Sequence, residues 1–263
     1  MSHSKHFIFL AGHHKSGTSL LYRTIRSHPL ISGFLHTGVP EDEGQHLQSV
    51  YKPAKAFGGP GRYIFDNRSY MNEHHELATA LSARSIMQEW APYFDASCDY
   101  YLEKSPPNLV RTRFLQALFP MSTFIVLLRH PIAIAYATRK WSDSPIDLLM
   151  EHTLRGFEIF STDLPHLDSV YVLRYEDLTS NPQDMLAAIC AQIGVSEHNF
   201  DATTIRSTNE NYFAMWDHDR AREIDCLAPP SLQMEVRANK FGYSLIDYRK
   251  LLQSPMLGGH RKT

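Results

Sequence analysis

The stretch GHHKSGTS, residues 12–19, sets one lysine, three hydroxyl side chains and two glycines between an apolar run and an amphipathic one. These residue types in this order suit the binding of a phosphate or a related anion. A helix that begins just after the turn offers unpaired backbone N–H groups and the positive end of its dipole. Lys15 adds a point charge, Ser16, Thr18 and Ser19 add hydroxyl donors, and Gly17 lets the turn close tightly. The N–H groups of residues 16–20, Leu20 included, are expected to face the anion. An isolated stretch of this kind also occurs as a plain strand–helix connection with a solvated lysine. A Walker-type nucleotide loop matches poorly, because it ends in Gly-Lys-[Ser/Thr], whereas Lys15 precedes Gly17.

Three further stretches carry groups with chemical use. In TFIVLLRHPIAIAYATRKWS, residues 123–142, Arg129 ends an apolar run, Pro131 stops strand pairing and a helical pattern follows. In YLEKSPPN, residues 101–108, Lys104 follows a short strand pattern, with a local salt bridge to Glu103 or another carboxylate as its plain alternative and Asn108 as a loop anchor or helix cap. In VPEDEGQHL, residues 39–47, Glu41, Asp42 and Glu43 cluster ahead of His46, either as a functional acid–base group or as a solvated first helical turn. His13, His14 and the pair His74–His75 carry less weight, and no His or Cys set has metal-ligand spacing.

The elements that must position these residues alternate. Apolar runs at 7–11, 100–102, 123–128 and 169–173 suit strands covered on both faces. Helical patterns at 18–27, 73–90 and 108–119 lie between them. A further helix has Asn181 as N-cap, Pro182 at its first position and Gly194 as its stop. The alternation predicts an α/β layered fold. Residues 37–70 and 200–245 lack a clear period and are expected to be functional loops or lids, with Trp216 and residues 239–243 helping to close the C-terminal side. A chain of 263 residues, 43% hydrophobic, fits one domain spanning 1–263. A net charge of −2 argues against general nucleic-acid binding. Cys98, Cys190 and Cys226 are odd in number and widely spaced, as expected of thiols in a reducing compartment. With no membrane span or signal segment evident, a cytoplasmic protein without stable membrane insertion is expected.

The loop at residues 12–19 resembles the phosphosulfate-binding loop of the sulfotransferases that use 3′-phosphoadenosine 5′-phosphosulfate (PAPS). The strand–Arg129-x-Pro131–helix element and the stretch VYVLRYEDLTSNPQDML, residues 170–186, resemble that family's next two motifs in order and spacing. The resemblance implies a P-loop-like three-layer fold with a central, mostly parallel sheet flanked by helices. It implies PAPS as co-substrate and adenosine 3′,5′-bisphosphate (PAP) as product, with no metal required.

Carried onto this chain, the family's pattern gives Lys15 the leaving phosphate and Lys104 the equatorial oxygens of the sulfuryl group. It gives Arg129 the 3′-phosphate. The serine that the family usually adds is Ala137 here, so either Thr138 substitutes, or Ser142 reaches in, or one hydrogen bond is absent. Tyr175 is placed near the adenine, and Glu176 and Asp177 fix the loop and cap the helix. The acceptor base falls to Glu43, with Glu41, His46 and His36 as alternates, closer to the branch with a glutamate base than to the branch with a histidine. A glutamate in this role needs a raised pKa. Arg237 and Lys240 are possible equivalents of a basic C-terminal segment, with an ordinary exposed role favoured. The resemblance names no acceptor; the aromatic and glycine-rich segment 51–70 suits a pocket for a small molecule, sugar or lipid bearing a hydroxyl or amine, and the oligomeric state stays open. The rival readings are a P-loop small-molecule kinase and a non-catalytic PAP or nucleotide sensor.

Overall fold

The first apolar run forms the middle of the sheet. In the computed structural model, which describes residues 5–221 and 230–262, β1 (His6–Gly12) pairs in parallel with β3 (Tyr100–Lys104) and β4 (Ser122–Leu128). Beyond them, β2 (Ile31–Gly33) lies parallel to β3, and β5 (Ser169–Arg174) lies parallel to β4. An antiparallel edge strand, β6 (Gly258–Arg261), completes the order β2-β3-β1-β4-β5-β6. The central strands read as continuous apolar runs because both of their faces are covered. Phe7, Phe9, Val126 and Leu128 belong to one core cluster, whereas Ile8, Leu10, Ile125 and Leu127 belong to another, as the two-residue period of a strand requires.

Helices α1 (Thr18–Arg26) and α2 (Ala80–Trp90) precede β3, and α3 (Thr112–Leu118) precedes β4. Then follow α4 (Pro131–Thr138), α5 (Ile146–Asp163), α6 (Tyr175–Ser180), α7 (Pro182–Ile193), α8 (Asn209–Ala221) and α9 (Leu232–Lys240). Pro182 opens α7 and Gly194 ends it at φ 92°, as the sequence predicts. The helix expected over 73–90 starts only at Ala80. Asn72 and His75 side chains accept the N–H groups of His74 and Leu77 in turns, and Thr79 then caps the helix by accepting from Ser82. The helix expected over 108–119 starts at Thr112, after a tight turn over Pro106–Val110.

Two further expectations are corrected. The stretch 200–245 holds α8 and α9, and Trp216 is fully buried, so it is core and not a lid. Phe241 and Tyr243 likewise pack on Phe157 of α5. Cys98 is a half-buried thiol and Cys190 a buried one, and Cys226 lies outside the described residues. Among the described residues no helix is long and apolar enough to cross a membrane.

The register decides where the site sits. Leu10 pairs with Lys104 and Gly12 with Leu127, so the loop after β1, the end of β3 and the residues after β4 share one edge of the sheet. In parallel α/β sheets, ligands collect beyond this carboxyl edge.

Candidate active site

The turn between β1 and α1 is built to leave its donors open. Gly17 stands at the helix N-cap with φ 102°, a left-handed conformation that favours glycine. A Cβ there would also stand 2.7 Å from the Tyr175 ring, so the position has no room for a side chain. Gly17 supplies no side-chain cap and the first turn of α1 holds no acidic residue, so nothing in the helix competes with an incoming anion. Lys15 is itself left-handed at φ 67°, an uncommon conformation for a residue with a Cβ. The Ser16 hydroxyl is buried and finds no partner, as expected of a group that awaits a ligand. The N–H groups of residues 16–20 do not all converge: Ser16 donates to His13 O at 3.0 Å and Leu20 to Gly17 O at 3.1 Å. The open donors are therefore those of residues 17–19. This cradle fits a phosphate or phosphosulfate.

Lys104 lies almost wholly buried at the end of β3, with Nζ 3.1 Å from Glu43 Oε1, 3.1 Å from Glu41 O and 3.4 Å from Ser19 Oγ. Its carboxylate partner is thus Glu43 and not its chain neighbour Glu103. The Glu43 side chain, also buried, accepts from Gln45 Nε2 and lies 3.9 Å from His46 Nε2. Glu41, left-handed at φ 54°, accepts from Ser19 Oγ at 3.0 Å. One corner of the molecule therefore joins the helix N-terminus, Lys104, Glu43, Glu41 and His46. Burial holds the His46 imidazole below its usual pKa, against the raising effect of Glu43. His36 is exposed, outside this group of contacts.

Glu103 is the residue that sequence reasoning missed. It is fully buried, and its Oε1 accepts the Gly44 N–H at 3.0 Å while Asn108 Nδ2 donates to Oε2 at 2.6 Å. Ser105 Oγ donates to Glu103 and accepts the Gln45 N–H at 3.0 Å. The turn that carries Glu43 is thereby tied to the end of β3. Burial pushes the Glu103 carboxyl up to about 7. A carboxylate within the apolar strand YYLEK was the available signal. Asn108 serves this anchor, not a helix cap. His14 was also undervalued: its Nδ1 is buried without a partner, and burial with the charges of Lys104, Lys15 and His46 lowers its pKa to about 3.

The second corner is built around Arg129, nearly buried at the end of β4. Its Nε donates to Asn209 Oδ1 at 2.9 Å, one terminal nitrogen to Lys15 O at 2.7 Å and the other to Thr208 Oγ1 at 2.8 Å. The guanidinium lies 4.1 Å from the centre of the Tyr175 ring. Tyr175 in turn donates to Arg206 O at 2.8 Å. Glu176 accepts from the His130 N–H at 3.0 Å, Asn209 Nδ2 at 2.7 Å and the Tyr243 hydroxyl at 3.1 Å. Asp177 pairs with Arg174 at 2.8 Å. Both acids therefore brace the loop.

Thr138 and Ser142 face the turn at Gly61, where a Cβ would stand 3.4 Å from Thr138 Cγ2 and 3.3 Å from Ser142 Oγ. The Ser142 hydroxyl is 3.0 Å from that of Ser144. Arg237 is engaged by Glu151 and Glu158 of α5, the latter at 2.6 Å, and Lys240 is exposed. Among the described residues no group of three or more His, Cys, Asp or Glu could hold a metal ion.

Comparison with known proteins gives the family. A sequence profile described as the Sulfotransferase family matches residues 8–199. No curated protein sequence matches the chain. Among solved structures, the chain is similar to a sulfotransferase domain from the curacin biosynthetic pathway, at 15% identity and a TM-score of 0.53, over 91% of this chain and 98% of that one. A sulfotransferase from Alicyclobacillus acidocaldarius is 17% identical with a TM-score of 0.48, over 88% and 98%. The mouse sulfotransferase SULT7A1, solved with PAP, is 13% identical with a TM-score of 0.39, over 84% and 64%.

Proposed function

Because the chain belongs to the sulfotransferase family, we propose that it moves the sulfuryl group of PAPS to the hydroxyl or amine of a small-molecule, sugar or lipid acceptor and releases PAP. The observation that carries this reading is the buried Lys104–Glu43 pair beside the open N-terminus of α1. With the 5′-phosphosulfate in the 12–19 loop, Lys15 neutralises the leaving phosphate and Lys104 the equatorial oxygens of the sulfuryl group. Glu43 takes the proton of the acceptor. The acceptor oxygen or nitrogen then attacks sulfur in line, the bond from sulfur to the 5′-phosphate oxygen breaks, and PAP departs with the electron pair. Such a transfer relies on position and charge stabilisation. Glu41 and His46 border the same space and are the alternative bases. Glu43 takes precedence by position, beside the lysine assigned to the sulfuryl oxygens.

Arg129 has a structural duty, since it holds the Lys15 carbonyl. Its two terminal nitrogens each keep a second N–H, and these are assigned to the 3′-phosphate. Transfer from labelled PAPS across a panel of hydroxyl and amine acceptors tests the reading. Labelled product with the native chain and none with Glu43→Gln is expected. Equal product with both would remove Glu43 from the role.

A further inference from the structure

One contact of the site is unexplained by this chemistry. Lys15 Nζ lies 3.3 Å from the centre of the Trp141 ring, with the Glu41 carboxylate as an attracting charge but no hydrogen-bond partner among the described residues. Trp141 is 50% exposed, whereas the other two tryptophans, Trp90 and Trp216, are fully buried. The segment that carries the exposed indole is held in place. The Trp141 backbone N–H donates to Thr138 O at 2.8 Å, and Arg62 Nε fixes Ser144, the partner of Ser142, at 3.0 Å. An exposed aromatic on a fixed segment, in contact with the lysine of the anion loop, has the form of a masked binding surface.

We propose that Trp141 is a platform for the acceptor, that Lys15 covers it while the nucleotide is absent, and that PAPS uncovers it by drawing the lysine away. The proposal rests on the reading of the 12–19 loop as the phosphosulfate site. A cation–π contact at an exposed position is worth a factor of about two to five in affinity, and a charge-assisted hydrogen bond to a phosphate oxygen about tenfold or more. The lysine therefore leaves the indole when the anion arrives. The freed ring lies beside the loop that holds the sulfuryl group, and it offers a flat apolar surface. An acceptor with a matching flat face, an aromatic ring or the C–H face of a sugar, is the class it takes. The nucleotide then binds first and the acceptor second.

The masking makes a prediction of unusual sign. In calorimetric titration, Trp141→Ala should bind PAP about two- to fivefold more tightly than the native chain, because no contact with the indole has to be broken. Trp141→Phe should fall between the two. Acrylamide quenching of the native protein's fluorescence should rise when PAP is added, since Trp141 is the exposed indole. Unchanged or weaker PAP binding by Trp141→Ala overturns the proposal while leaving the loop assignment intact. No PAP binding by the native chain overturns the loop assignment, and the proposal with it. As an aromatic probe, 2-naphthol should bind the PAP-saturated protein more tightly than the free one. Binding indifferent to PAP, or none in either state, removes the platform.

Discussion

The Lys15–Lys104–Glu43 corner and the Arg129–Glu176 corner stand at the same edge of the sheet but are finished differently. Around Arg129 and Glu176 each principal polar group has a protein partner, in Asn209, Thr208, His130 and Tyr243. Around Lys15 the Ser16 hydroxyl and His14 Nδ1 are buried without one, and Lys15 and Glu41 hold left-handed backbone. Unmet polar groups and local strain have to be maintained by the rest of the fold, and they concentrate where a ligand completes the structure.

Breaking the reactive corner should give the largest effect. Glu43→Gln keeps the shape of the side chain and removes the base, so transfer should fall by about 10²- to 10⁴-fold with PAP affinity nearly unchanged. Parallel losses of turnover and PAP affinity would mean that the residue binds nucleotide instead.

Acid should destabilise both corners. Burial holds His13 at about 4, His14 at about 3 and His130 at about 4, all below the ordinary 6.5 of histidine. From pH 6.5 downward the unfolded chain takes up protons that the folded chain refuses until those lower values, so stability is lost as pH falls. Glu103, raised to about 7, opposes this, because its burial is relieved as it protonates between pH 7 and its ordinary 4.5. His152, buried beside His13 and also held well below 6.5, adds to the loss, so the melting temperature should fall between pH 6.5 and 5. Thermal melts across that range check it. A flat melting temperature would contradict the neutral buried imidazoles.

Glu176→Gln separates positioning from reaction. Three donors converge on this carboxylate, and disturbing them should cost about 1–3 kcal/mol of stability. PAP binding should weaken through Arg129, while turnover at saturating PAPS stays near native. A selective loss of turnover would place Glu176 in the chemistry. The smallest effect is expected at Arg237→Ala, whose partly exposed pairs with Glu151 and Glu158 contribute under about 1 kcal/mol, with no change in PAP affinity. A clear loss of PAP affinity would return Arg237 to the nucleotide site.

Much of this contrast was legible in the sequence. The apolar runs of β1, β3, β4 and β5 are long enough to identify strands, and parallel strands bring the loops after them to one edge. The edge strands were not legible. β2 has three residues, and β6 begins Gly258-Gly259, a pair with low strand propensity that is held by pairing with β5 and by close packing. A Cβ at Gly259 would stand 2.3 Å from Gln192 Oε1. Lys104 and Glu43 were each legible as reactive residue types, but their contact spans 61 positions and depends on a turn fastened by Glu103 and Ser105. No local pattern encodes such a contact. The same holds for Trp216, a core residue that the charged run Asp217–Arg220 follows directly in sequence.

The most direct measurement is calorimetric titration of the native chain with PAP, with adenosine 5′-monophosphate and ATP/Mg²⁺ alongside. PAP should bind at least about tenfold more tightly than the monophosphate, since only PAP carries the 3′-phosphate assigned to Arg129. Binding of ATP/Mg²⁺ without binding of PAP would contradict the phosphosulfate assignment and turn the 12–19 loop toward phosphoryl transfer.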